Sequence, residues 1–388
     1  MSLESQRVKA NPANSLDQYF QFNNPTVRIS EGEDYGPAEP LCRQSMSLVC
    51  STIEENYAEG TVQLLSDLIQ PRFYPPPYIT ANLLRGILLD PQCADFLALE
   101  AYNLLMRAQK YHPADIRTVP WDWELLSSVM AEQNARKLPW EVRCLFMHYV
   151  LQVLEDDFQF KLPLRLLNHS IVKAVLSCDE KFRHVRDVIN WLLDGAKQSF
   201  CNSEDEDMPN KEQNYCFKML LFLQRMLLLA MEVDRTPTCS SNKISQELFN
   251  SLMTTTPCRQ LRLLLLNTLE SSLLKCKMLE LLLDEACCKK RPLPMSFKLL
   301  LHFLKTSTLA LDPSVRLQGH LRYSITDRES STRRPMWTQN DTVTQATVQE
   351  AAEVFLSRAV EDLGHVVPPQ IQESLSQLQE HLLSISLH

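Results

Sequence analysis

The sequence predicts an all-α protein: stacked antiparallel helices in a solenoid-like arrangement, with a disordered N-terminal tail and polar loops. Three observations carry this. Glycine is scarce, 7 in 388 residues, about 2% against an average near 7%, which leaves few tight β-turns. Long segments rich in Leu, Met, Glu and Gln place apolar residues at helical spacing. The connections between these segments are short, as expected where antiparallel helices stack on one another.

Residues 1–45 are polar, carry prolines and turn acidic around 31–34, a composition that predicts a disordered tail. "QSMSLVCSTIEENYAEGTVQLLSDLIQ" predicts a helix over 44–70 that stops at Pro71, and "RFYPPPY" then forces an extended connection. Asp90-Pro91 reads as an N-cap followed by proline at the first helical position, leading "QCADFLALEAYNLLMRAQKY"; Thr256-Pro257 repeats the device before "CRQLRLLLLNTLE". Further helices are expected near 122–134, 139–156, 164–177, 182–198, 213–231, 241–254, 259–287 and 294–308. The chain thus divides into a tail at 1–45, a helical domain at 46–311 with a mobile acidic loop at 199–214, a polar linker at 312–342, and C-terminal helices within 343–388, near 345–363 and 368–385. No strict repeat with a period of about 34 to 47 residues is present.

Composition also excludes functions. The closest glycine pair is Gly32 and Gly36, and GxxxxGK, GxGxxG and GxSxG are all missing, so phosphate-cradling loops and a serine-hydrolase elbow are not expected. Against 47 acidic residues stand 39 Lys and Arg, a net charge of −8 that argues against direct nucleic-acid binding. The 12 cysteines are scattered through apolar segments without a CxxC, and the chain starts with the polar "MSLESQRVKANPANS"; reduced thiols and no metal site are the expectation. Gln224-Arg225 splits the greasiest run, so no membrane span is expected. No catalytic residue and no cofactor are assigned.

Several motifs remain to be weighed. Trp121 and Trp123 stand two apart at a helix start with Asp122 between them as cap; paired tryptophans anchor a helix in a core, and they also form interface hot spots. With Tyr74 they are the partner-interface candidates. Glu155, Asp156 and Asp157 are adjacent, and because successive helical side chains point about 100° apart they cannot converge on one ion, so a solvated helix end is expected. His112, His184 and His302 have no acid or cysteine at catalytic spacing. "KKRP" at 289–292 reads as a nuclear-import signal or as cations completing a helix end. In "TVRISEGED", Val27 and Ile29 alternate before Glu31, Glu33 and Asp34, a pattern suited to adding a strand to the edge of a SUMO sheet. "MEVDRTPTCSSNKI" (231–244) is expected to be a polar turn, with Pro237 stopping one helix and Ser240 or Ser241 capping the next. No histidine or oxyanion-forming glycine accompanies Cys239 there, so a nucleophile is not expected.

"STIEENYAEGTVQLLSDLI", "RFYPPPYI", "HPADIRTVPWDWELLSSVM", "LEDDFQ", "VLSCDEKFRHVRDVINWLL" and "MEVDRTPTCSSNKI" together resemble the C-terminal region of the SUMO-interacting-motifs-containing family, also described as platform elements for inhibition of autolytic degradation. The match runs from about 48 to 310. The resemblance implies an all-α region similar to the helical non-SMC subunits that load the structural-maintenance-of-chromosomes (SMC) five/six complex, a heterodimer with a related helical localization factor, and delivery of the complex to viral replication centres and nuclear bodies. It implies SUMO chains as a further partner, a nuclear protein with a cytoplasmic pool, and a second role in binding and restraining a muscle calpain.

Overall fold

The computed structural model describes residues 38–131, 138–201, 210–255, 265–266, 269–286, 296–306, 344–364 and 366–386. The chain forms two compact units, residues 1–76 and 77–388. The fold is all-α: among the described residues the only strands are two of two residues each. Of the acidic loop expected at 199–214, residues 199–201 and 210–214 belong instead to helices, since the helical pattern on each side runs further than the charged composition suggests, and 202–209 lie outside the described residues, as do the linker at 312–342 and the basic 289–292.

In the first unit, β1 (Glu39–Pro40) pairs in parallel with β2 (Phe73–Tyr74). Residues 38–45, expected to belong to the tail, therefore hold a strand and the start of α1 (Arg43–Glu54). The single helix expected over 44–70 is two, α1 and α2 (Ala58–Leu68). The break is a Schellman end: Asn56 takes φ 53°, its N–H bonds the Ile53 carbonyl, and the Tyr57 N–H reaches back to Thr52. Asparagine tolerates the left-handed region, so "EENY" terminates a helix where periodicity alone would carry it through. The Tyr57 ring then covers Gly60, where a Cβ would lie 2.5 Å from Cδ1. Val49, Val62, Leu65 and Ile69 are buried in this unit.

The second unit starts with α3 (Pro77–Asn82), which widens into a π-turn over Leu83–Leu88. Asp90-Pro91 does not cap a helix. Asp90 Oδ1 accepts the Gln92 N–H in a tight turn, and α4 (Asp95–Tyr111) begins four residues later. α5 (Trp123–Met130) and α6 (Trp140–Lys161) follow. The helix expected at 164–177 shrinks to a 3-10 turn (Leu167–His169) and α7 (Ile171–Leu176). Then come α8 (Phe182–Cys201), α9 (Asn210–Glu232) and α10 (Pro237–Thr255). Pro237 opens α10 rather than stopping α9, and Ser240 and Ser241 are buried within the helix instead of capping it. Proline costs nothing at a first helical position because its missing N–H would be unbonded there.

α6 is the central element. Every residue from Val142 to Leu151 is buried, and the helix packs on α4, α7 and α9, while α9 packs also on α8 and α10. A helix apolar on all sides belongs in a core. Its polar groups find partners: Arg143 donates to the Val129 and Met130 carbonyls and lies over the Trp140 ring. The Tyr102 hydroxyl sits 2.5 Å from His148 Nδ1, and burial drives the His148 pKa down to about 4, keeping it neutral. Asn214–Glu232 of α9 is long and apolar enough to cross a membrane by length and composition, but 56% of that window is buried against neighbouring helices, as befits a core helix.

α11 (Ser272–Ala286) packs on α10, and α12 (Phe297–Thr306) packs chiefly on α13 (Gln345–Leu363), which packs on α14 (Pro369–Ser386). Leu301, Leu304, Val348, Ala351, Ala352, Leu375 and Leu382 form their common core. α12 thus shares its core with the C-terminal helices, across the boundary that sequence composition placed at 311.

The two segments "VLSCDEK" and "MEVDRTPTCSSNKI" meet through Asp234, whose side chain is 1% exposed. Its Oδ1 accepts from Lys173 Nζ and Ser177 Oγ, both at 2.8 Å, and Oδ2 from the Asp179 N–H at 3.3 Å. Lys243 closes the node on Asp179 at 2.7 Å. Although burial opposes it, these donors hold the Asp234 carboxyl below the ordinary carboxylate range. A depressed folded pKa contributes stability that is present above the unfolded value of about 3.9 and is lost as pH falls through the folded one. Asp234→Ala therefore costs roughly 2 kcal/mol at pH 7, because it removes the acceptor shared by Lys173, Ser177 and the Asp179 N–H, and Lys173 keeps only Glu180 as its acid partner. In urea melts the gap to wild type narrows as pH is lowered below 4; an unchanged gap contradicts the assignment.

Candidate partner-binding surface

Val27, Ile29, Glu31, Glu33 and Asp34 lie outside the described residues. Of the aromatic interface candidates, Tyr74 is half-buried in β2. Trp121 is 4% exposed, so its ring serves the core and offers nothing to a partner. Trp123 opens α5, fixed by Asp122, whose Oδ1 accepts the Leu125 N–H at 2.7 Å while Oδ2 meets Arg85 at 2.9 Å. Its indole N–H donates to Asp187 at 3.1 Å. The ring stacks on His184 at 4.2 Å and 7° and on Trp191 at 5.6 Å and 23°. His184 and Trp191 are seven residues apart on α8, about two turns or roughly 10.5 Å, close to the combined depth of both stacks. Trp123 is therefore inserted between them, with both ring faces taken. His184 Nδ1 donates to the Val175 carbonyl at 2.8 Å, which orients the ring. The shallow depression beside this stack, edged by Glu124, Ser127 and Arg183, is a by-product of docking α5 onto α8.

The three adjacent acids are not a solvated helix end. Glu155 pairs with Arg225 of α9, Asp156 accepts from Gln109 and Gln152, and the buried Asp157 accepts the Ile171 N–H at 2.6 Å and pairs with Lys161 at 2.5 Å. The 100° fan that stops them sharing an ion sends each to a different neighbour.

The acids hold in place what the sequence reading passed over. Around Lys161 the chain exposes Phe160 (68%) in the last turn of α6 and, beyond it, Leu162 (43%), Leu164 (52%) and Leu166 (46%). These large apolar side chains sit on a fixed backbone: Leu162 N–H bonds Phe158, Leu166 N–H bonds Lys161, and Arg165 N–H bonds Leu162. Arg165 adopts φ 58°, and Lys161 Nζ donates to the His169 carbonyl at 2.8 Å. Gln109 accepts the Ala114 N–H while donating to Asp156, which lays the 113–118 turn with exposed Ile116 alongside the end of α6. Exposed apolar side chains close together in the chain make this loop the candidate surface, and a pre-ordered backbone lowers the entropy any binding there would cost.

The signal was present in "DFQFKLPLRLL". Its apolar residues recur every second position around Pro163, a period that no helix can bury on one side. Comparison with known protein-family models finds none that matches the chain. Among the described residues no group of His, Cys, Asp and Glu is arranged to hold a metal ion. Cys239 is an exposed residue near the start of α10.

Two substitutions separate anchor from bystander. Trp123→Ala lowers unfolding free energy by roughly 2–3 kcal/mol, below the full-core range because the ring is half-buried, and Trp123→Phe recovers part of it. Cys239→Ser changes stability by no more than about 0.5 kcal/mol. Paired urea melts read both, and a large loss at Cys239 contradicts its bystander role.

Proposed function

We propose that the chain is a non-enzymatic helical adaptor that pairs with a related helical localization factor. Through that heterodimer it recruits the SMC five/six complex to SUMO-rich nuclear sites, viral replication centres and nuclear bodies. The observation that supports this reading is the fixed apolar loop at the end of α6, where Phe160, Leu162, Leu164 and Leu166 are left in water. Exposed large side chains on a rigid backbone serve association, since each gains on the order of 1.5–3 kcal/mol by full burial. The resemblance of 48–310 to the SUMO-interacting-motifs-containing family supplies the partner's identity, and the Val27/Ile29 segment supplies a route to SUMO chains.

Light scattering on a sizing column tests it, with the chain alone and after co-expression with the localization factor. A one-to-one heterodimer is expected from wild type, and monomer from the Leu164→Ser/Leu166→Ser double variant, whose stability stays near wild type because both positions are exposed. Monomer from wild type overturns the pairing; the same column run with the muscle calpain then tests the platform reading.

A further inference from the structure

We infer that the α6-end loop accepts an apolar protein segment flanked by carboxylates. This rests on the adaptor reading and adds the chemistry of what is bound. The argument is one of charge complementarity. Every acid near the loop already has donors of its own: Glu155 has Arg225, Asp156 two glutamines, and Asp157 Lys161 and the Ile171 N–H. Asp115 accepts the Arg117 and Thr118 N–H groups and the Thr118 hydroxyl. Lys161 is neutralised by Asp157 and lies mostly out of water, 13% exposed.

The cations left facing solvent are Arg165, between Leu164 and Leu166, and Arg117, beside Ile116 in the adjoining turn. Both are exposed, and neither has an ion-pair or hydrogen-bond partner for its guanidinium among the described residues. Two guanidinium groups without partners, beside exposed leucines, Ile116 and a phenylalanine, put free bidentate donors and apolar area on one surface. Guanidinium groups recognise carboxylates with bidentate geometry, so they set partner choice while the apolar side chains supply contact area. A lipid leaflet is the other occupant such chemistry suggests. Two arginines fall short of the roughly four to eight basic residues that hold a segment on an anionic membrane, which favours a protein segment.

The test uses the full chain and two synthetic peptides sharing one leucine and isoleucine pattern, flanked by glutamates in one and by lysines in the other. Fluorescence anisotropy is expected to show binding of the glutamate peptide only. Leu164→Ser/Leu166→Ser abolishes it, and Arg117→Glu/Arg165→Glu weakens it at least about tenfold and creates affinity for the lysine peptide. Both variants are confined to exposed side chains, and matched melting curves confirm folding. Binding of both peptides alike, or binding blind to the arginine exchange, overturns the carboxylate preference and leaves the adaptor reading standing. No binding of either peptide, with the heterodimer intact, places the interface elsewhere and overturns the inference. Leucine-dependent sedimentation with phosphatidylserine vesicles overturns it in favour of a membrane. Peptide binding without any heterodimer sinks the named partner alone.

Discussion

A helix with no wet side governs this structure. α6 is enclosed over ten consecutive residues, so everything polar on it must be answered by a neighbour. That requirement fixes the neighbours. Arg143 holds the C-terminal carbonyls of α5, His148 faces Tyr102 of α4 and stacks on Phe222 of α9 at 5.1 Å, and the acids of its last turns reach α4, α7 and α9. Removing any of these partners leaves a buried polar group without solvent or mate, the costly arrangement in a low-dielectric interior. Packing directions in the stack thus follow from one helix's hydrogen-bonding needs as much as from its leucines.

The same helix explains where apolar residues appear on the surface. Its acids pin the chain as it leaves the core, and the pinned backbone has nowhere to turn Leu162, Leu164 and Leu166 inward. Their exposure is a result of tight anchoring rather than loose folding. The two tryptophans that look like interface anchors are consumed internally, one in the core and one between His184 and Trp191.

Much of this was legible in the amino-acid order. Helical class, the depletion of glycine and most element positions follow from the 3.6-residue period, which reports burial on one face. Asp122 as cap was legible too, because capping is local. What was not legible depended on left-handed residues or on distant partners. Asn56 and Arg165 switch the backbone off the helical path without glycine's usual flag. Asp157 reads as a surface acid until α7 brings the Ile171 N–H to it. Pro237 signals a boundary equally well from either side. A tryptophan's spacing shows that it anchors something, while whether it anchors its own chain or another's is settled by Trp191 and His184, over 60 positions downstream.

α12 shares its core with helices that follow it only after a long intervening stretch of chain, and this gives the C-terminal end a particular evolutionary freedom. The closure entropy of a connection grows only logarithmically, about 0.6 kcal/mol for each doubling of length. The stretch between Thr306 and Gln345 can therefore lengthen, shorten or be respliced at little cost, provided Leu301 and Leu304 still meet Val348, Ala351 and Leu375. A transcript ending before α13 gains no such latitude. It would leave Leu301 and Leu304 of α12 uncovered, an exposed apolar face that favours association over a smaller folded chain.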